Sequence, residues 1–137
     1  MKTLIVSAVL WALGLCLVGP VGAADKQQLD QFDKRVSDIN AMASKPAKTD
    51  LALQRISTET GMPIDRLKQQ HQKHPDIGPA GLMVANVLAD ETKKGPEVFL
   101  SQKAAGKKWV NIAKENKVSV EKLNERLDRL EKAIKGD

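Results

Sequence analysis

A twelve-residue pattern written three times constrains this chain more than any other feature. Residues 56–67 read ISTETGMPIDRL, residues 88–99 read LADETKKGPEVF and residues 112–123 read IAKENKVSVEKL. Aligned without gaps, each opens on an aliphatic residue (Ile56, Leu88, Ile112) followed by a small one (Ser57, Ala89, Ala113). A glutamate stands two residues further on (Glu59, Glu91, Glu115), and a second acid six residues after that (Asp65, Glu97, Glu121). A large apolar residue closes each copy (Leu67, Phe99, Leu123). Repetition at this scale is the mark of stacked supersecondary units, none of which buries its apolar face alone.

Each choice in the pattern suits a tight helix–turn–helix. The small residue lets a second helix backbone approach closely. The second acid falls in the first turn of the following helix, where negative charge favours the N-terminal dipole. The closing apolar residue returns to a shared core. Glu59, Glu91 and Glu115 stand near helix C-termini, where their charge is unfavourable, so each is expected to cap a neighbouring helix or meet a basic residue.

The flanking segments extend this reading. Leu29, Phe32, Val36, Ile39 and Met42 recur at helical steps and predict a first helix over 25–43. Residues 44–49 (SKPAKT) read as a linker, with Pro46 halting a helix and Thr49 or Asp50 capping the next. A second helix follows over about 50–60, closed by a left-handed Gly61, and a third from Pro63 to about 73. HPDIGP (74–79) reads as a loop, with further helices over 80–94, from Pro96 to near Gly106, over 107–117 and over 119–135. The last carries Val120, Leu123, Leu127, Leu130 and Ile134 at steps of three, four, three and four. The expected fold is all-α: a compact bundle of repeated short helix–turn–helix units with longer amphipathic helices at its N- and C-terminal ends. Aromatic residues make up 3% of the chain, with no tyrosine, which suits helix packing on aliphatic side chains.

Residues 1–23 (MKTLIVSAVLWALGLCLVGPVGA) have one early lysine, a long apolar run, and small residues at Val21 and Ala23 before Ala24. That is the pattern of a cleaved secretory signal. An uncleaved membrane anchor and lipidation at Cys16 are the alternatives. Leu15 stands where a lipid-attachment signal carries a small residue, and Cys16 lies inside the apolar run rather than at its end. The expected organisation is a signal at 1–23, an amphipathic helix and linker at 24–49, and a helical repeat domain at 50–137. After cleavage no cysteine and no membrane span would remain, so disulfides would contribute nothing to stability.

Candidate chemistry is sparse. His71 and His74 share one helical face with Asp76 shortly after, a set able to hold a divalent ion. A polar helix end running into a loop explains the same residues, and no metal or catalytic site is assigned. No cofactor is expected. The chain is mildly basic, +5 overall. Lys93, Lys94, Lys103, Lys107, Lys108, Lys114 and Lys117 crowd its C-terminal half. Lys107, Lys108, Trp109, Lys114 and Lys117 form a candidate surface for an anionic polymer, with Trp109 as the one stacking side chain. Val120, Leu123, Leu127, Leu130 and Ile134 form a candidate stripe for a partner helix or for self-association.

Three resemblances attach to these residues. The segment Trp109–Leu123 resembles the helix–turn–helix of DNA-binding regulators at Ile112, Ala113, Val118 and Leu123, with Gly61 at the turn glycine of the first copy. It also resembles the middle of a LysM domain, a peptidoglycan-binding module, through Trp109, Ile112, Ala113 and the Val118-Ser-Val-Glu-Lys-Leu123 run. Where that module has strands, SQKAAGKK precedes the segment and a charged helical pattern follows. Residues 50–125 are similar to small exported helical proteins of bacteria that lack an assigned function and carry a stretch like Gly106-Lys-Lys-Trp-Val-Asn-Ile-Ala113. This last resemblance implies export and a helical fold, and no activity. The expectation is an exported, non-enzymatic protein that works by contact with an envelope protein or another envelope component. The alternative is a binder of peptidoglycan or nucleic acid. Nucleic acid is not the expected partner of an exported chain.

Overall fold

One helix is apolar all round, and the others are arranged to cover it. In the computed structural model, which describes residues 31–136, every residue from Gly78 to Ala89 is buried. A helix without a polar face is stable only inside a protein. This is α4 (Gly78–Thr92). Around it run α1 (helical over 31–42), α2 (Pro46–Thr60), α3 (Ile64–Lys73), α5 (Pro96–Ala104), α6 (Trp109–Glu115) and α7 (Val120–Lys135). α4 touches α2, α3, α5 and α7; α2 and α7 also pack on each other, and α6 bridges α5 and α7. The described residues are all-helical, with no strand among them. The signal pattern at 1–23, the start of the first helix, and Leu29 lie outside the described residues.

α4 ends at Thr92, short of the expected 94, and α6 runs only over Trp109–Glu115, short of the expected 107–117. Both stop because the chain turns left-handed at Lys93 and Lys117. Boundaries differ from the sequence expectation at two further places, for local reasons. Residues 46–49 belong to α2 and not to a linker, because Pro46 starts the helix instead of halting the one before. A proline at the first helical position lacks only an N–H that would be unpaired anyway. Thr49 Oγ1 then donates to Ala43 O at 2.6 Å, tying the new helix to the end of α1. The second place is the 74–79 loop, which is shortened because α4 begins at Gly78. Asn40 of α1 holds that start: its Nδ2 donates to Ile77 O at 2.8 Å and its Oδ1 accepts from Ala80 N at 2.7 Å. Gly78 has φ +72°, and a Cβ there would overlap the Asn40 side chain. Glycine is required for both reasons.

α1 is a full member of the core, and Phe32–Asp137 forms one compact unit. Phe32, Val36 and Ile39 are buried, as the stripe predicts, and Met42 is half-buried. On its flank Arg35 donates to Asn124 Oδ1 at 3.0 Å and pairs with Asp128, while Glu131 lies 3.9 Å away. Those three partners are on α7, so the amphipathic helices from the two ends of the described chain are clasped together.

Candidate functional site

The three copies of the pattern fold into three equivalent turns. The second helix of each unit begins at the same pattern position: Ile64, Pro96 and Val120. The residue before each of these is extended (Pro63, Gly95, Ser119). Position one of each copy (Ile56, Leu88, Ile112) is fully buried, and so is position twelve (Leu67, Phe99, Leu123).

The polar residues of the turn repeat as closely. At position five, Thr60 Oγ1 donates to Ile56 O, Thr92 Oγ1 to Leu88 O and Asn116 Nδ2 to Ile112 O, each at 2.7 Å. These are i→i−4 back-bonds, in which the side chain shares a carbonyl that the helix backbone already uses, at the last turn before the chain leaves the helix. Position six is left-handed in all three copies: Gly61 at φ +76°, Lys93 at +61° and Lys117 at +58°. Lys93 and Lys117 are the two non-glycine residues with positive φ among those described. A residue with a Cβ is disfavoured there by about 1 kcal/mol.

The repeat glutamates find basic partners on other elements. Glu59 is held by Arg126 Nη1 at 2.9 Å and Arg129 Nη1 at 3.1 Å, and its side chain is only 10% exposed. Arg126 Nη1 also donates to Glu59 O, at 3.0 Å, so one guanidinium closes the end of α2. Glu91 receives Lys122 at 3.0 Å, and Glu115 pairs with Lys107. Lys94 Nζ reaches Asn116 Oδ1 at 3.2 Å, which sets the second turn beside the third.

This geometry rearranges the candidate surfaces. Trp109 is 1% exposed and cannot stack on a ligand. It packs beside Gly81, and Lys103 Nζ sits 5.8 Å from its ring centroid. Lys107 is engaged with Glu115, while Lys108 and Lys114 are exposed and each already has a partner. Lys117 is exposed on the third turn. The five polymer-binding candidates therefore do not form a single open surface centred on the tryptophan. The α7 stripe is corrected more completely. Leu123, Leu127, Leu130 and Ile134 are buried within the chain and Val120 is half-buried, so the stripe is occupied by the protein's own core and is not free for a partner helix. Its clean periodicity reflects packing on α2 and α4.

His71 and His74 are both half-buried. His74 Nε2 lies 3.5 Å from Glu97 Oε2, with Lys73 Nζ 3.8 Å from the same oxygen. Asp76 is exposed, and no group of three or more metal-ligating side chains converges among the described residues. Sequence reasoning missed two polar features. Asp33 Oδ1 accepts from Trp109 N at 2.9 Å, and its Oδ2 from Val110 N at 3.4 Å, so α1 caps α6. Within the core, Asn86 Nδ2 donates to Gln70 Oε1 at 2.9 Å and Leu82 O at 2.8 Å. Neither partner choice has a local signal.

No family model, curated protein or solved structure matches this chain.

Proposed function

We propose that the chain is an exported, non-enzymatic helical protein that acts by contact with a protein or another component of the cell envelope. The observation that carries this reading is the leader pattern at residues 1–23, which ends in Val21-Gly-Ala23. The packing supports a contact made through polar groups. The apolar stripes of α1 and α7 are used internally, and the exposed large apolar residues among those described are Leu51 and Val98, on different helices. Cell fractionation with intact-mass measurement of the native product tests the proposal. A chain beginning at Ala24 outside the cytoplasm supports it; an intact N-terminus retained inside the cell overturns it.

A second reading, that the protein binds an anionic polymer, is favoured by one specific arrangement. The exposed lysines Lys93, Lys94 and Lys117 stand on two turns joined by the Lys94–Asn116 hydrogen bond. Co-sedimentation with purified sacculi and salt-dependent retention on DNA separate the two polymers named for this surface. Retention on neither removes both.

A further inference from the structure

We propose that Lys93, Lys94 and Lys117 form a contact for the phosphate groups of a linear phosphate polymer, and that the charges at 93 and 117 are kept there against a backbone preference for glycine. The proposal rests on the second reading above, that this surface binds an anionic polymer, and puts a phosphate polymer in place of the two polymers named there.

The turn itself does not require a lysine. At the equivalent position of the first unit stands Gly61, and a Cβ added there would meet nothing within 4 Å. Lys93 and Lys117 are exposed, so packing does not select their side chains either. Neither forms an ion pair among the described residues, although acids are near. Glu91 is engaged by Lys122 and Glu115 by Lys107. Strained backbone kept without a packing reason is characteristic of positions held for function. Here the same strain occurs twice, at equivalent positions of adjacent turns, and each time it carries an ammonium group into solvent.

The surroundings select the ligand. Phe32, Phe99 and Trp109 are all buried, so no described aromatic ring is available to a nucleobase or to the apolar face of a sugar. Contact is left to ammonium groups, which take phosphate oxygens as point charges. Asp90 and Glu115, both exposed, stand three and two residues before Lys93 and Lys117 in the sequence. Leu51 and Val98, the exposed large apolar residues, lie on α2 and α5 and not on these turns.

The test uses the full chain and three probes: inorganic polyphosphate, oligo(dT) and phosphatidylglycerol vesicles. Binding is measured over a salt series beside thermal melts. Wild type should bind polyphosphate more tightly than the other two. The Lys93→Gly/Lys117→Gly double variant should melt several degrees higher, because left-handed strain is relieved. It should bind polyphosphate at least ~5-fold more weakly, with the slope of log K against log salt shallower by about 1.4 for two lost phosphate contacts. A Lys93→Asn/Lys117→Asn pair should lose binding in the same way, a Lys93→Arg/Lys117→Arg pair should keep it, and Lys68→Gln on α3 should leave it unchanged. The proposal is overturned by absent polyphosphate binding, by undiminished binding in the glycine or asparagine pair, or by preference for vesicles or oligo(dT). A protein that fractionates to the envelope and ignores polyphosphate loses this proposal and keeps the first reading. One that sediments with sacculi and ignores polyphosphate keeps the second reading without this refinement.

Discussion

Asp33 caps the helix that begins at Trp109. Its carboxylate accepts the backbone N–H of Trp109 at 2.9 Å and that of Val110 at 3.4 Å, while Lys103 Nζ lies 3.5 Å from the same side chain. α6 has seven residues and no side-chain cap from its own flank. Its N-terminus is satisfied by a residue 76 positions earlier in the chain. Capping by a charged acceptor adds a favourable term with the helix dipole. Asp33→Ala should therefore destabilise the protein by about 1–2 kcal/mol, and Asp33→Asn by less, since the amide oxygen still accepts. Urea denaturation followed by circular dichroism checks the order. Equal stability of Asp33→Ala and wild type would remove the capping role.

The repeat glutamates should differ in energetic weight despite their equivalent positions. Glu59 is nearly buried and shared by Arg126 and Arg129, with Arg55 4.0 Å away. Glu59→Gln should cost about 1.5–3 kcal/mol, the range for hydrogen bonds to a charged group whose partners are left unmatched. Glu91→Gln and Glu115→Gln break single, more exposed pairs and should each cost less than about 1 kcal/mol. Thermal melts of the three variants decide the matter; equal losses would show that burial is not the cause.

Asn86 and Gln70 form a buried polar pair beneath α3, 2% and 6% exposed. Asn86→Ala leaves the Gln70 amide without its partner and should cost about 1–3 kcal/mol. Replacing both by leucine removes the unmatched groups together, so the double variant should be more stable than the sum of the two single changes implies. A double-mutant cycle by chemical denaturation measures that difference. Strict additivity would contradict the pairing.

The α7 stripe should behave as core. Leu127 is fully buried, and Leu127→Ala should cost about 2–5 kcal/mol. Its effect should appear as lost folding stability and not as dissociation of an oligomer. Sedimentation at several concentrations, run beside the melts, separates the two. A concentration-dependent assembly abolished by Leu127→Ala at unchanged monomer stability would return the stripe to the surface.

The repeat and its boundaries were legible because their causes are local. The alternation of aliphatic, small and acidic residues announced three helix–turn–helix units. Gly61 announced a left-handed turn, and the glutamates near the helix ends announced a need for basic partners. Lys93 and Lys117 concealed the same turn, because a lysine does not advertise positive φ. Pro46 was ambiguous for a related reason: a proline can follow one helix or begin the next, and only the packing of α2 decides.

The sequence by itself determined that this chain is helical, where most helices start and stop, and which face of each is apolar, since periodicity and capping act within a few residues. Only the tertiary structure decided what covers each face. It turned the stripe of α7 inward onto α2 and α4, buried Trp109, matched Glu59 with Arg126, and sent Asp33 across the bundle to the start of α6. Those outcomes depend on contacts between residues far apart in the chain. An apolar stripe is equally satisfied by any surface that removes it from water, so its own spacing cannot say which surface that is.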